Sequence, residues 1–206
     1  MMYQSFGKRL FDIVISGLGL FLLSPIFLLI AIVVQVQLGR PVFFRQVRPG
    51  FQANPFTMVK FRTMRNSVDV SGHLLPDKER MTTFGQWLRS TSLDELPELI
   101  NVLLGHMSLV GPRPLLMEYV PLYSKQQWRR HEVKPGITGL AQVAGRNALS
   151  WPKRLALDVQ YVDSYSFWLD VKILLKTVGK VLKREGIVSE GFVSSAPFQG
   201  ETEDEA

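Results

Sequence analysis

Two adjacent carboxylates, Asp94 and Glu95, stand in the run Thr91 to Pro114, TSLDELPELINVLLGHMSLVGPRP. Such a pair can hold an oxygen-loving cation, move protons or attack an electrophile. Adjacent carboxylates repel, so in apolar surroundings one keeps its proton unless a cation lies beside them. A divalent metal meets that need, and oxygen-only ligands favour magnesium over zinc. The same residues permit a simpler reading. Ser92 and Glu95 have capping-box spacing, and Asp94 would add favourable charge at the positive end of a helix. Pro97 is best accommodated in a first helical turn, which puts the helix start near Leu96 and the acidic pair at its N-terminal edge. Free backbone amides there stabilise carboxylates and attract phosphate oxygens. Capping and catalysis need the same location, so spacing alone leaves both open.

The elements around the pair are legible from periodicity. Residues 41–64, PVFFRQVRPGFQANPFTMVKFRTM, alternate apolar and polar residues on both sides of Arg48-Pro49-Gly50 and predict a strand, a turn and a strand. Lys60 and Arg62 then share a face, either a solvated basic face or a phosphate clamp. Ser67 to Met81 reads as a loop and Phe84 to Arg89 as a short helix. Between Val133 and Trp151, several glycines surround Arg146, a composition suited to close backbone approach to a ligand. From Phe167 to Arg184, Lys172, Lys176, Lys180 and Lys183 recur opposite Val171, Leu174, Leu175, Val178 and Leu182. That is a basic amphipathic helix, whose apolar side either docks on the core or lies at a membrane interface.

The chain has 206 residues and a formal charge of +6, with its acidic C-terminal run, Glu201 to Ala206, opposing a basic body. The length fits one domain with an accessory segment. The charge suits phosphates, nucleic acid or an anionic membrane. Cysteine is absent, which excludes disulfides, thiolate metal sites and a thiol nucleophile.

From Ile13 to Gly39 no residue is charged and most are strongly apolar, the signature of a membrane segment. Ser24-Pro25 falls near its middle, where proline removes a backbone donor and kinks or breaks a helix. The arms on either side reach roughly 18 and 22 Å, against a hydrocarbon core of ~30 Å. Lys8 and Arg9 precede the segment, and Arg40, Arg45 and Arg48 follow it. Positive residues prefer the cytoplasmic side, so two basic flanks predict a re-entrant hairpin rather than a crossing. A proline-kinked spanning helix is the competing expectation.

Four runs together resemble the bacterial sugar transferases, the monotopic phosphoglycosyl transferases. They are Lys60-Phe-Arg-Thr-Met, Ser92-Leu-Asp-Glu-Leu-Pro, Met107-Ser-Leu-Val-Gly-Pro-Arg-Pro, and Lys134 to Asn147, KPGITGLAQVAGRN. The resemblance covers nearly the whole chain and looks like the minimal form of the family. It implies an α+β fold in three parts: a re-entrant helix-break-helix anchor (1–40), a small cytoplasmic catalytic head with a β-hairpin and amphipathic interfacial helices (41–186), and a C-terminal tail (187–206). It implies transfer of a sugar 1-phosphate from a UDP-sugar to polyprenyl phosphate at the inner face of a bacterial cytoplasmic membrane, with release of UMP. The partners implied are those substrates and membrane lipid, without nucleic acid, and a homodimer is compatible. Magnesium is the implied cofactor, held by Asp94 and Glu95. Asp94 matches the family's nucleophile and Glu95 its acidic partner, while Lys60, Arg62, Arg113 and Arg146 fall in its basic, phosphate-binding motifs. The runs around Leu115 and Gly145 look most like the small members that start N-linked glycan assembly from UDP-di-N-acetylbacillosamine. His106 stands where the family carries an acid, which removes that acid from the required set.

Overall fold

The computed structural model describes residues 3–145, 148–183 and 197–200. A single helix, α1 (Lys8–Leu38), holds the whole apolar segment. It is followed by an antiparallel hairpin, β1 (Phe43–Pro49) and β2 (Pro55–Phe61), in which Phe44 faces Lys60 and Arg48 faces Phe56. The helices α2 (Asp77–Arg80), α3 (Thr83–Ser90) and α4 (Glu98–Leu103) come next, then strand β3 (Ser108–Val110). After α5 (Lys125–Trp128), strand β4 (Gly136–Thr138) pairs parallel to β3, and α6 (Leu140–Ala144), α7 (Trp151–Ser164) and α8 (Phe167–Lys183) complete the order. Mixed helix and sheet are as expected, and both the hairpin and the α8 helix fall where periodicity puts them.

The expected break at Ser24-Pro25 is absent: α1 runs through Pro25 without interruption over 31 residues. The reason is local. Proline withholds the N–H that would have met the carbonyl of Phe21, and the Ser24 hydroxyl donates to that same carbonyl at 2.8 Å. Serine therefore repairs the acceptor that its proline neighbour leaves open, which is how a proline is tolerated in lipid.

Contacts of α1 with the head lie along one face. Asp12, Ser16, Ile30 and Val34 are buried, while Leu18, Phe21, Leu22, Leu28, Leu29, Ile32 and Val36 are exposed. At its N-terminal end, Lys8 Nζ donates to Asp170 Oδ2 (2.6 Å), the Tyr161 hydroxyl (3.0 Å) and the Val110 carbonyl (3.0 Å). Arg9 donates to the Val102 and Leu103 carbonyls at 2.6 and 2.7 Å, so it caps α4. Asp12 Oδ1 accepts from Ser108 Oγ and from the Leu109 amide. At the other end Ile30 and Val34 pack with Phe61 and Leu88, and Phe27 joins them. Both ends of α1 thus hold the same head.

The main core gathers Met58, Val102, Met107, Val110, Val143, Tyr161 and Ile173. The amphipathic helix α8 contributes Ile173 and the fully buried Asp170, but Leu175, Val178 and Leu182 stay largely exposed. Docking on the core therefore accounts for only part of its apolar surface.

Candidate active site

Asp94 and Glu95 belong to a single 3₁₀ turn, Leu93–Glu95, set apart from α4, which begins only at Glu98. Ser92 introduces the turn at φ 57°, a left-handed conformation that is costly for a residue other than glycine. Its hydroxyl makes no cap hydrogen bond. The capping-box reading therefore fails on geometry, and the acidic pair stands free of that structural duty.

The two carboxylates have unequal surroundings. Glu95 Oε1 accepts from Lys60 Nζ at 2.7 Å and from Arg113 Nη2 at 2.5 Å. Burial opposes its charge, but Arg113 and then Lys60 outweigh burial and hold Glu95 well below the usual carboxylate range. Asp94 is 8% exposed and is pushed up to about 6, first by burial and next by the Glu95 charge, against the weaker pull of Lys60, Arg89 and Arg113. One acid is thus a firm anion and its neighbour is a carboxylate short of counter-charge.

Two further contributors escape sequence reasoning. Glu98, 1% exposed, places Oε1 3.0 Å from Lys60 Nζ, so the ammonium bridges two acids. Burial pushes Glu98 up to about 7, Lys60 pulling it down and Glu95 pushing it further up. Its spacing three residues after Glu95 on a helical path was the available signal. Arg89, whose charge acts on Asp94, donates from Nε to Thr63 Oγ1 at 3.0 Å. It arrives from α3, and only the packing of that helix brings it to the site.

The remaining sequence candidates divide. Lys60 and Arg113 converge on the acidic pair. Arg62 turns elsewhere: its guanidinium donates to the carbonyls of Leu38, Gly39 and Arg40, with Gly39 O at 2.5 Å, and so caps the end of α1. Arg146 lies outside the described residues. Two of the glycines expected to approach a ligand lie close against backbone, since a Cβ on Gly136 would stand 2.1 Å from the Gly111 amide nitrogen, and one on Gly139 2.2 Å from the Gly111 carbonyl. They allow β4 to pack under the turn that carries Arg113. His106 is exposed, its ring 6.0 Å from that of Phe56.

Among the described residues, no three His, Cys, Asp or Glu side chains come together as a metal cage. The donor set on offer is the Asp94–Glu95 pair. Two carboxylates suffice for magnesium, which keeps several waters and takes its remaining ligands from substrate phosphates. The missing counter-charge at Asp94 is what such an ion would supply.

The sequence pattern of the bacterial sugar transferases matches residues 3–184. The chain belongs to that family. An uncharacterized sugar transferase of Bacillus subtilis (strain 168) is 56% identical over 193 residues, covering 94% of this chain and 96% of the relative. A UDP-glucose:undecaprenyl-phosphate glucose-1-phosphate transferase of Klebsiella pneumoniae is 44% identical over 183 residues, 84% of this chain but 39% of the relative. An exopolysaccharide production protein of Rhizobium meliloti (strain 1021) is 37% identical over 197 residues, 87% of each chain. This bacterial sugar transferase therefore spans almost all of one relative and about two fifths of another. The paired acids and their arginine and lysine partners lie within the matched region.

Proposed function

We propose that the chain moves a sugar 1-phosphate from a UDP-sugar to polyprenyl phosphate, releasing UMP, through covalent catalysis by Asp94. The observation that carries this reading is the division of charge in the acidic pair. Glu95 is neutralised by Lys60 and Arg113, whereas Asp94 is buried without a full partner. Such a carboxylate is less well solvated than in water, and so a better nucleophile.

In the first step an Asp94 oxygen attacks the phosphorus that bears the sugar. The bond from that phosphorus to the bridging oxygen breaks, and UMP leaves with the electron pair. In the second step an oxygen of polyprenyl phosphate attacks the acyl phosphate. The bond from phosphorus to Asp94 breaks, giving a polyprenyl diphosphate sugar and restoring the carboxylate. Arg113 and Lys60 stabilise the charge that builds on the phosphoryl oxygens, and Glu95 holds both cations in place. Magnesium, held by Asp94 and Glu95, would neutralise the diphosphate and ease departure of UMP.

The Klebsiella relative named above acts on UDP-glucose and undecaprenyl phosphate. That name moves our expectation for the donor from di-N-acetylbacillosamine to glucose. The same proposal takes the head to face the cytoplasm and α1 to dip into one leaflet; the contacts of both ends of α1 with one head support it, since such a helix does not separate its flanks.

The test is to incubate the purified chain with a panel of UDP-sugars, with and without polyprenyl phosphate, and to measure UMP and intact-protein mass. UMP with a sugar-phosphate adduct before any acceptor is added is the expected outcome. Chelation should abolish turnover and magnesium restore it. UMP only when both substrates are present, with no adduct after rapid quenching, would demote Asp94 to a metal ligand in a direct transfer.

A further inference from the structure

Beside the C-terminal end of α1 lies a cavity of about 490 Å³, lined by residues 41–45 together with Arg62 and Asn66. Its volume falls within the ~300–1,000 Å³ of small-ligand sites. Its lining is divided by chemistry. Pro41, Val42, Phe43 and Phe44 supply an apolar wall, and Arg45 and Arg62 supply positive charge.

Neither arginine is neutralised by an acid among the described residues. Arg45 is exposed and has no ion-pair partner there. Arg62 is 5% exposed, its terminal nitrogens cap α1, and its Nε–H is buried without a partner. A buried cationic donor with nothing to donate to is costly unless a ligand completes it.

The position of the cavity narrows the ligand. Phe43 packs on Phe27 of α1 at 6.1 Å and on Phe61 at 5.5 Å between ring centroids, so the apolar wall continues into the membrane helix. Ile32 and Val36 on that helix are 52% and 79% exposed. A hydrocarbon chain lying along α1 can enter without crossing water. Two residues before Arg62, Lys60 reaches Glu95, and two residues of extended strand span roughly 7 Å. The cavity and Lys60 therefore share the β1–β2 hairpin.

We propose that this cavity binds the acceptor: the phosphate of polyprenyl phosphate on Arg45 and the Arg62 Nε–H, and its first isoprene units against Val42, Phe43 and Phe44. The inference rests on the transferase reading for the identity of its ligand. Arg62 is unsuitable for substitution because it also caps α1, so Arg45 and Phe44, both exposed, are the positions to vary.

Initial rates are measured in neutral detergent without anionic lipid, so that attraction to a charged surface contributes nothing. Arg45→Ala and Phe44→Ala should each raise the acceptor KM about tenfold, the value of one lost charged hydrogen bond or buried ring. The donor KM should stay within about twofold of the parent, and Arg45→Lys should recover most of the acceptor effect. Independently of turnover, a polyprenyl phosphate carrying a photoreactive group in its first isoprene units should label residues 41–45. Excess polyprenyl phosphate should suppress that labelling, and neither polyprenol nor inorganic phosphate should. Parental acceptor KM in both alanine variants, or labelling only elsewhere on the chain, overturns the proposal. Labelling at 41–45 in a protein that turns over no UDP-sugar would overturn the transferase reading and leave the lipid-phosphate site standing.

Discussion

In the proposed mechanism Asp94 is the residue on which the chemistry turns, and its environment makes a prediction with a definite sign. In the unfolded chain it titrates near 3.8, whereas burial first and the Glu95 charge second push it up to about 6 in the folded protein. The folded state therefore binds that proton more tightly. The resulting stabilisation is fully present in acid and is lost as pH rises from the unfolded value through about 6. Asp94→Asn, which cannot ionise, should consequently raise stability at pH ~7 by on the order of 1–3 kcal/mol and leave it nearly unchanged at pH ~4. The same variant should lose kcat by several orders of magnitude, as expected for a nucleophile. Because only the anion attacks, kcat/KM of the parent for the UDP-sugar should fall on acidification through about 6. Raising magnesium from limiting to saturating should move that limb to lower pH. Thermal melts at both pH values and a pH–rate profile check these points. Equal melting temperatures for parent and variant at neutral pH would remove the strained-anion account of Asp94.

At the scale of elements, the joint between α1 and the head is the part most exposed to a single change. Asp170 is fully buried on α8 and accepts from Lys8 on Oδ2 at 2.6 Å, from the Tyr161 hydroxyl on Oδ1 at 2.7 Å and from the Tyr3 hydroxyl on Oδ2 at 2.5 Å. Removing the acid strands a mostly buried ammonium beside two hydroxyls. Asp170→Ala should then cost ~3–5 kcal/mol, the range for breaking one half of a buried pair. The thermal midpoint in detergent reads the loss, and faster proteolysis between α1 and β1 should accompany it, since α1 would lose the anchor at its N-terminal end. A midpoint within a degree or so of the parent's would mean that the apolar contacts of α1 alone hold it. The Ser24–Phe21 hydrogen bond acts at a shorter range in the same helix. It keeps α1 continuous where proline alone would have opened it.

For the whole molecule, the two docked ends of α1 predict its relation to the membrane. At ~1.5 Å per residue, a straight helix of 31 residues would reach about 46 Å, enough to cross. Length therefore permits a span. The contacts argue otherwise, because Lys8, Arg9 and Asp12 at one end, and Ile30 and Val34 at the other, all meet the same head. Single cysteines placed at positions 4 and 67 in this cysteine-free chain should show the same sidedness toward an impermeant reagent in sealed vesicles. Opposite sidedness would establish a spanning helix and force the α1 contacts to open in the bilayer.

By itself the sequence determined the local features: the apolar segment, the β-hairpin, the amphipathic α8 and the acidic pair. These follow from periodicity, composition and short motifs, which act over a few residues. Tertiary structure decided the rest, because it depends on which surfaces meet. Nothing in the order of residues says that Arg62, two positions from Lys60, turns to the carbonyls ending α1. Nor does it say that Glu98 and Arg89 join the site from α4 and α3. Nor does it say that the parallel pairing of β3 with β4 makes Gly136 and Gly139 sites of close backbone contact. The unbroken α1 shows the same division at its smallest. Proline forecast a break from its own chemistry, and a hydroxyl one residue away closed it, because a carbonyl deprived of its helical donor takes whichever donor stands within reach.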